Sequence, residues 1–221
     1  MKIIVLSCDK NVDLFLPFHH CMERYYPNHP EVIYFTESIP NPYYKTISVM
    51  HQLSEWTSAV VKFLNQIDDD RVLLMIDDIF IRHPVDAERI EQTAQFLTRN
   101  NIACFNFEKS WDDTDEPSII VGWNKRKHGS QYEVSLMCGL WDKSKLIYVL
   151  SQQISDPWDV EYNQPSCGFD YYINAGDTII DWGYQTFKHC GVVKGKWARE
   201  IVPFFTHENI SVDYSKRGFC D

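Results

Sequence analysis

The sequence predicts an α/β protein built on a mainly parallel central sheet flanked by helices. Three observations carry this. The apolar run Val72, Leu73, Leu74, Met75, Ile76 passes directly into Asp77 and Asp78, and a short apolar run bounded by charge reads as a strand buried on both faces. The chain opens on another such strand, residues 1–6, which ends in the polar group Ser7, Cys8, Asp9, Lys10, Asn11. Between the two, strand-like and helix-like segments alternate, and a β-α-β-α-β order implies parallel strands joined by right-handed crossovers.

Residues 14–26 read as a helix stopped by Pro27, and residues 31–36 as a strand closed by the breakers Pro40 and Pro42. Residues 48–67 read as one long amphipathic helix with Met50, Leu53, Trp56, Val60, Phe63, Leu64 and Ile67 on one side. Asp68, Asp69 and Asp70 then form a solvated turn at the edge opposite to the one where ligands bind. A polar helix over 87–99 and a strand over 102–107 follow, then a polar excursion over 108–129, of a size that is usually functional or mobile. Residues 132–141 read as a strand, and Asp142 caps a helix carrying Leu146, Ile147, Val149 and Leu150. Short strands are expected at 178–182, 184–187 and 192–197. No linker, repeat or low-complexity segment interrupts the chain, so it reads as a single domain over 1–221.

The 221 residues suffice for one substantial core. A net charge of −10 argues against nucleic acid, whose phosphates demand clustered basic residues. The run Lys125, Arg126, Lys127 reads as a solvated loop that could meet a phosphate or an acidic glycan. An aromatic share of 14% suits rings that stack on sugars or bases, and equally suits a core. Seven cysteines, at 8, 21, 104, 138, 167, 190 and 220, form no Cys-x-x-Cys pair. They read as free buried thiols in a reducing, cytoplasmic setting, without signal peptide or spanning segment. Peripheral membrane association would leave no mark in this sequence.

Asp77 and Asp78 fall at the carboxyl end of their strand, the edge where open α/β sheets bind ligands. Adjacent carboxylates there repel and are costly to desolvate, and a divalent cation such as magnesium, bridged to a substrate phosphate, would relieve both costs. The alternative is a plain strand end and turn. Asp9 either contacts a base or ribose or caps the next helix. Neither a Gly-x-Gly-x-x-Gly sequence nor a P-loop occurs.

Taken together, Ser7-Cys8-Asp9, the strand ending Asp77-Asp78-Ile79-Phe80, the segment 134–141, Pro157-Trp158-Asp159-Val160-Glu161 and Gly195-Lys196-Trp197 resemble a group of small bacterial and phage glycosyltransferases of the GT-A fold. The resemblance implies a GT-A-like (Rossmann-like) domain whose residues 1–107 bind a nucleotide-sugar donor, a UDP-sugar, and whose residues 108–221 bind a glycan or lipid-linked acceptor. It also implies Mn2+ or Mg2+ held at an Asp-x-Asp motif. This chain has Asp-Asp-Ile instead, with Asp78 the nearest match to the metal ligand and Asp77 the candidate for the donor ribose or a metal-bound water. His189 is a further candidate metal ligand. Lys194 and Lys196 are candidates to offset the leaving diphosphate, with Gly195 permitting close backbone approach. For the base that an inverting transfer needs, Glu161 is favoured over Asp159. Trp158 or Trp141 would supply a platform for the sugar ring, although Trp141 also reads as core. Two other functions stay open: a sugar nucleotidyltransferase, disfavoured because no Gly-rich loop follows the first strand, and a binding protein of the same fold without catalysis.

Overall fold

The computed structural model describes residues 1–98, 101–110, 115–153, 155–163, 167–183 and 190–220. Strands β1 (Lys2–Leu6), β2 (Val32–Thr36), β3 (Lys45–Ser48), β4 (Arg71–Ile76), β5 (Ile102–Lys109), β6 (Glu116–Pro117), β7 (Trp123–Lys125), β8 (Cys138–Asp142) and β9 (Asp170–Asn174) form one nine-stranded sheet in the order β3-β2-β1-β4-β8-β5-β9-β7-β6. It takes strands from both halves of the chain. β3, β2, β1 and β4 pair in parallel, β5 and β9 pair in parallel, and β8 runs antiparallel to both β4 and β5. β7 opposes β9, and β6 opposes β7. The sheet is therefore mainly parallel, as the sequence predicts.

The fully apolar strands are explained by cover on both faces. Ile3, Val5, Leu73 and Met75 point to one face, where helices α1 (Phe15–Tyr25) and α3 (Ala87–Leu97) pack with Phe18, Met22, Ile90 and Ala94. The carboxyl-terminal helix α6 (Ile201–His207) adds Ile201 and Phe205 to the same layer. Ile4, Leu6, Val72 and Leu74 point to the other face, against α2 (Trp56–Leu64), α4 (Lys143–Leu150) and α5 (Pro157–Asn163), which contribute Val60, Phe63, Leu146, Val149 and Val160. Asp142 caps α4 as expected, its carboxylate accepting from the Lys145 amide at 3.1 Å.

The structure departs from the sequence reading where local signals compete. The long helix expected over 48–67 is only α2, preceded by a short 3₁₀ turn over Leu53–Glu55. Thr46, Ile47 and Ser48 instead extend the sheet edge against β2, and a capping box between Gln52 and Glu55 sets the turn. Met50 and Leu53 are left exposed. The strand expected over 132–141 shortens to β8, and 178–182 forms bends rather than a strand. Instead β9 fills the sheet, with Tyr171 and Ile173 buried. The expected strand at 184–187 lies outside the described residues. Arg126 is buried and Lys125 pairs with Asp170 at 2.7 Å, so the basic run is no solvated loop. None of the seven cysteines forms a disulfide, as expected, but only Cys21, Cys104, Cys138 and Cys190 are buried, whereas Cys8, Cys167 and Cys220 are half-buried.

Leu74→Ala should cost about 2–5 kcal/mol, since Leu74 is fully buried on a central strand. Met50→Ala, on the exposed connection, should stay within about 0.5 kcal/mol. Urea midpoints of the two variants check this; comparable losses would mean that residues 48–67 pack as one helix after all.

Candidate active site at the carboxyl edge of the sheet

Because β8 runs against its neighbours, the segment entering it lies at the same edge as the segments leaving β1, β4 and β5. That edge gathers Ser7 and Asn11 after β1, Asp77 and Asp78 after β4, Glu108 at the end of β5, and Ser135 and Leu136 before β8.

Asp77 is buried, and each of its oxygens is engaged. Oδ2 accepts from the Ser7 hydroxyl at 2.5 Å and Oδ1 from the Asn11 amide at 3.1 Å. Burial raises its pKa to about 6, an effect that Ser7, Asn11 and the Arg217 guanidinium oppose. Arg217 reaches the same loop from the other end of the chain, donating to Asn11 at 2.9 Å and pairing with Asp13. Asp78 is held differently. Burial and the neighbouring Asp77 charge push its carboxyl up to about 8, with Cys190 and the Val192 amide partly offsetting them. Its Oδ1 is buried without a hydrogen-bond partner among the described residues, an exposed cost for a group that is otherwise so well enclosed.

The backbone carbonyl of Asp78 accepts from the Gly191 amide at 3.2 Å. A β-carbon at Gly191 would lie 2.2 Å from the Phe80 ring, so only glycine lets this segment close on the acid. From there the chain forms a hairpin, β10 (Val192–Val193) and β11 (Lys196–Trp197). Lys194 and Gly195 occupy its two-residue turn with φ of 49° and 80°, the left-handed pair that such hairpins require. Gly195 thus serves the turn and has open space around it, rather than a close backbone approach. Lys194 and Lys196 are exposed on this hairpin, whose root is bonded to Asp78.

Across the edge, Glu161 of α5 accepts from the Leu136 amide at 2.8 Å. Burial raises its pKa, opposed by the Leu136 amide and the Ser135 hydroxyl. The same hydroxyl donates to Glu108 at 3.1 Å. Glu108 is buried and raised to about 7, chiefly by desolvation, with Ser135 and Arg126 acting against the shift.

The other candidates from the sequence are placed as follows. Asp9 neither caps a helix nor presents a free carboxylate. Its oxygens accept from the Ser38 amide and hydroxyl at 3.0 and 2.5 Å and from the Ile39 amide at 2.9 Å, clasping two loops together. Burial works against its charge, but these donors hold its pKa below the usual carboxylate range. Asp159 accepts from Asn163 along α5, away from the Glu161 contact. Trp158 is 57% exposed, whereas Trp141 is fully buried against Tyr171. The core reading of Trp141 therefore holds, and its ring offers no platform, because an apolar strand carries it between two covered faces. His189 lies outside the described residues. Among the described residues no group of three or more His, Cys, Asp or Glu side chains is placed to hold a metal.

Glu108, Ser135, Asn11 and Arg217 were not singled out from sequence. Glu108 carried a usable signal: Phe105, Asn106, Phe107, Glu108 repeats the pattern of an apolar strand running into a carboxylate seen at Asp77. Arg217 carried none, since 204 residues separate it from Asp13.

No protein-family model matches the sequence, and no curated protein does. Solved structures do. A cytidylyltransferase from Leptospira borgpetersenii superposes with a TM-score of 0.50 at 10% identity, covering 100% of this chain and 97% of that one. S. aureus TarS, residues 1–349, gives 0.48 at 9% identity, covering 98% and 67%. The bifunctional IspDF of Campylobacter jejuni gives 0.45 at 14% identity, covering 80% and 50%, so the chain spans about half of that protein's length. At these identities the likeness shows the fold alone, and the leptospiral structure carries it across the whole chain.

The acid pair makes the fold sensitive to pH. An unfolded aspartate has a pKa near 3.9, whereas folding raises Asp77 to about 6 and Asp78 to about 8. Between about pH 4 and pH 8 this pair binds more protons folded than unfolded, so its contribution to stability falls as pH rises through that window. Asp78→Asn should gain on the wild type between pH 5 and pH 8, read as urea midpoints. A gap that does not change with pH would mean that Asp78 is ionised throughout.

Proposed function

We propose that this protein is a glycosyltransferase that moves a sugar from a nucleotide-sugar donor, a UDP-sugar, to a hydroxyl of a glycan or lipid-linked acceptor at the cytoplasmic side of surface-polysaccharide or phage-related glycosylation. The observation that carries the reading is that Asp78, whose buried Oδ1 has no partner among the described residues, and Glu161, bonded to the segment that enters β8, belong to the same edge of the sheet. One side of that edge is short of positive charge and the other holds an oriented carboxylate, which are the two needs of sugar transfer.

Each oxygen of Asp77 already accepts a hydrogen bond, from Ser7 or Asn11, so Asp78 would be the carboxylate to hold a divalent cation, with a donor diphosphate supplying further ligands. Mn2+ or Mg2+ bound there would neutralise the leaving diphosphate. Lys194 and Lys196, on the hairpin rooted at Asp78, would add positive charge where the nucleotide diphosphate departs. Glu161 would take the proton of the acceptor hydroxyl as the new glycosidic bond forms and the bond from the sugar to the nucleotide diphosphate breaks; burial raises its pKa, which makes it a stronger base. This assigns an inverting course.

The nucleotidyltransferase reading draws on the fold shared with the leptospiral enzyme, but the first loop is poorly made for a triphosphate. The Asp9 amide donates to Glu37 at 2.6 Å and the Asn11 amide to the Cys8 carbonyl at 2.9 Å. Backbone donors that would cradle phosphates are used internally, and a carboxylate stands among them.

Thermal shifts with a panel of UDP-sugars and with CTP, each with and without Mn2+, test the proposal. A UDP-sugar should raise Tm only with Mn2+, and Asp78→Ala should abolish both that shift and transfer. A shift with CTP alone would favour nucleotidyl transfer. Glu161→Gln keeps the shape but accepts no proton, so transfer should drop about 10²- to 10⁴-fold with the donor shift intact. If donor binding falls instead, Glu161 belongs to the donor side.

A further inference from the structure

Helix α5 carries more than Glu161. Trp158 and Tyr162 stand four residues apart on it, hence side by side on one helical face, and they are 57% and 52% exposed. Val160, on the far side of the helix, is fully buried in the core. The exposed pair is therefore not an unfinished part of the core but a face turned outward while the helix is already anchored. A third ring joins it: Tyr132 packs against Tyr162 with centroids 5.2 Å apart and planes at 56°, and its hydroxyl donates to the Tyr162 hydroxyl at 2.8 Å. Tyr132 sits at φ 59°, a left-handed conformation that a bulky residue rarely adopts and that tends to persist at ligand clamps.

The same segment is tied to α5 at both ends, through Tyr132 to Tyr162 and through the Leu136 amide to Glu161. The Tyr132 and Tyr162 rings and the Glu161 carboxyl are thus held relative to one another, with Trp158 one helical turn from Tyr162. The site offers flat apolar ring faces, a pair of mutually bonded phenol hydroxyls, and a carboxylate acceptor at Glu161.

We propose that Tyr132, Trp158 and Tyr162 form a carbohydrate subsite that stacks a neutral pyranose ring of the acceptor and presents its hydroxyl to Glu161. This rests on the reading of Glu161 as the base and names the acceptor class it serves. A pyranose has an apolar C–H face for the rings and hydroxyl donors for the Glu161 carboxylate. A nucleotide also stacks, but its phosphates would meet the Glu161 carboxylate in a chain of charge −10. An anionic membrane surface is disfavoured on the same ground.

Saturation-transfer NMR with a panel of neutral methyl glycosides (glucoside, galactoside, mannoside, N-acetylglucosaminide), without donor or metal, tests the subsite. At least one glycoside should take saturation on its C–H face from wild type. In Trp158→Ala and Tyr162→Ala, both exposed positions that the fold tolerates, its affinity should fall about tenfold or more. Glu161→Gln should keep the stacking signal. No saturation from any glycoside, or saturation that survives the Trp158→Ala, Tyr162→Ala double variant, overturns the subsite. Stacking retained together with normal transfer by Glu161→Gln would instead overturn the base assignment and leave the subsite standing.

Discussion

Strand β8 lies between β4 and β5 and runs against both. This reversal is what the candidate site depends on. In a purely parallel sheet every segment at the carboxyl edge leaves a strand; here one also arrives, and the arriving segment brings Ser135 and Leu136 to the edge where β4 and β5 end. Glu161 has something to bond to only because of that arrival. The loop before β8 thereby couples the acidic centre of the sheet to helix α5 on its face, and a carboxylate on that helix joins an edge otherwise made by strand ends.

Keeping carboxylates at this edge is costly, and the structure distributes the cost unevenly. Asp77 is satisfied by two neutral donors and a nearby guanidinium, and it closes the gap between the first loop and β4. Asp78 is backed by a thiol, an amide and a glycine that admits no side chain, but one of its oxygens is left without a partner. The two adjacent residues, alike in sequence, thus differ in how far their neighbours satisfy them.

How far the sequence spoke depended on whether the deciding contacts were local. The strands at 1–6, 31–36, 71–76 and 102–107 were legible because each is a dense apolar run buried on both faces, and their alternation with helices fixed the parallel half of the sheet. Residues 45–48 were not, since an edge strand is made by pairing with β2 and shows no apolar run of its own. β9 was hidden for a related reason: Asp170, Tyr171, Tyr172, Ile173, Asn174 mixes polar and aromatic residues whose placement is decided by β5 and β7. In the site, Asp77, Asp78 and Glu161 could be picked out by position in strand ends and motif runs. The status of Asp9 could not, because its donors come from Ser38 and Ile39 on another loop. Trp141 and Trp158 illustrate the same limit, being one residue type with opposite exposures that only packing distinguishes.

The Arg217 contacts to Asn11 and Asp13 join segments more than 200 residues apart. Bringing such distant segments together costs loop-closure entropy that local structure elsewhere in the chain does not have to meet. The strands β1, β2 and β4 can pair and bury their apolar faces without this clasp, whereas the loop that carries Asn11 gains its guanidinium contacts only once residue 217 has been made and docked. During synthesis the parallel part of the sheet can therefore precede the finished set of charges around Asp77.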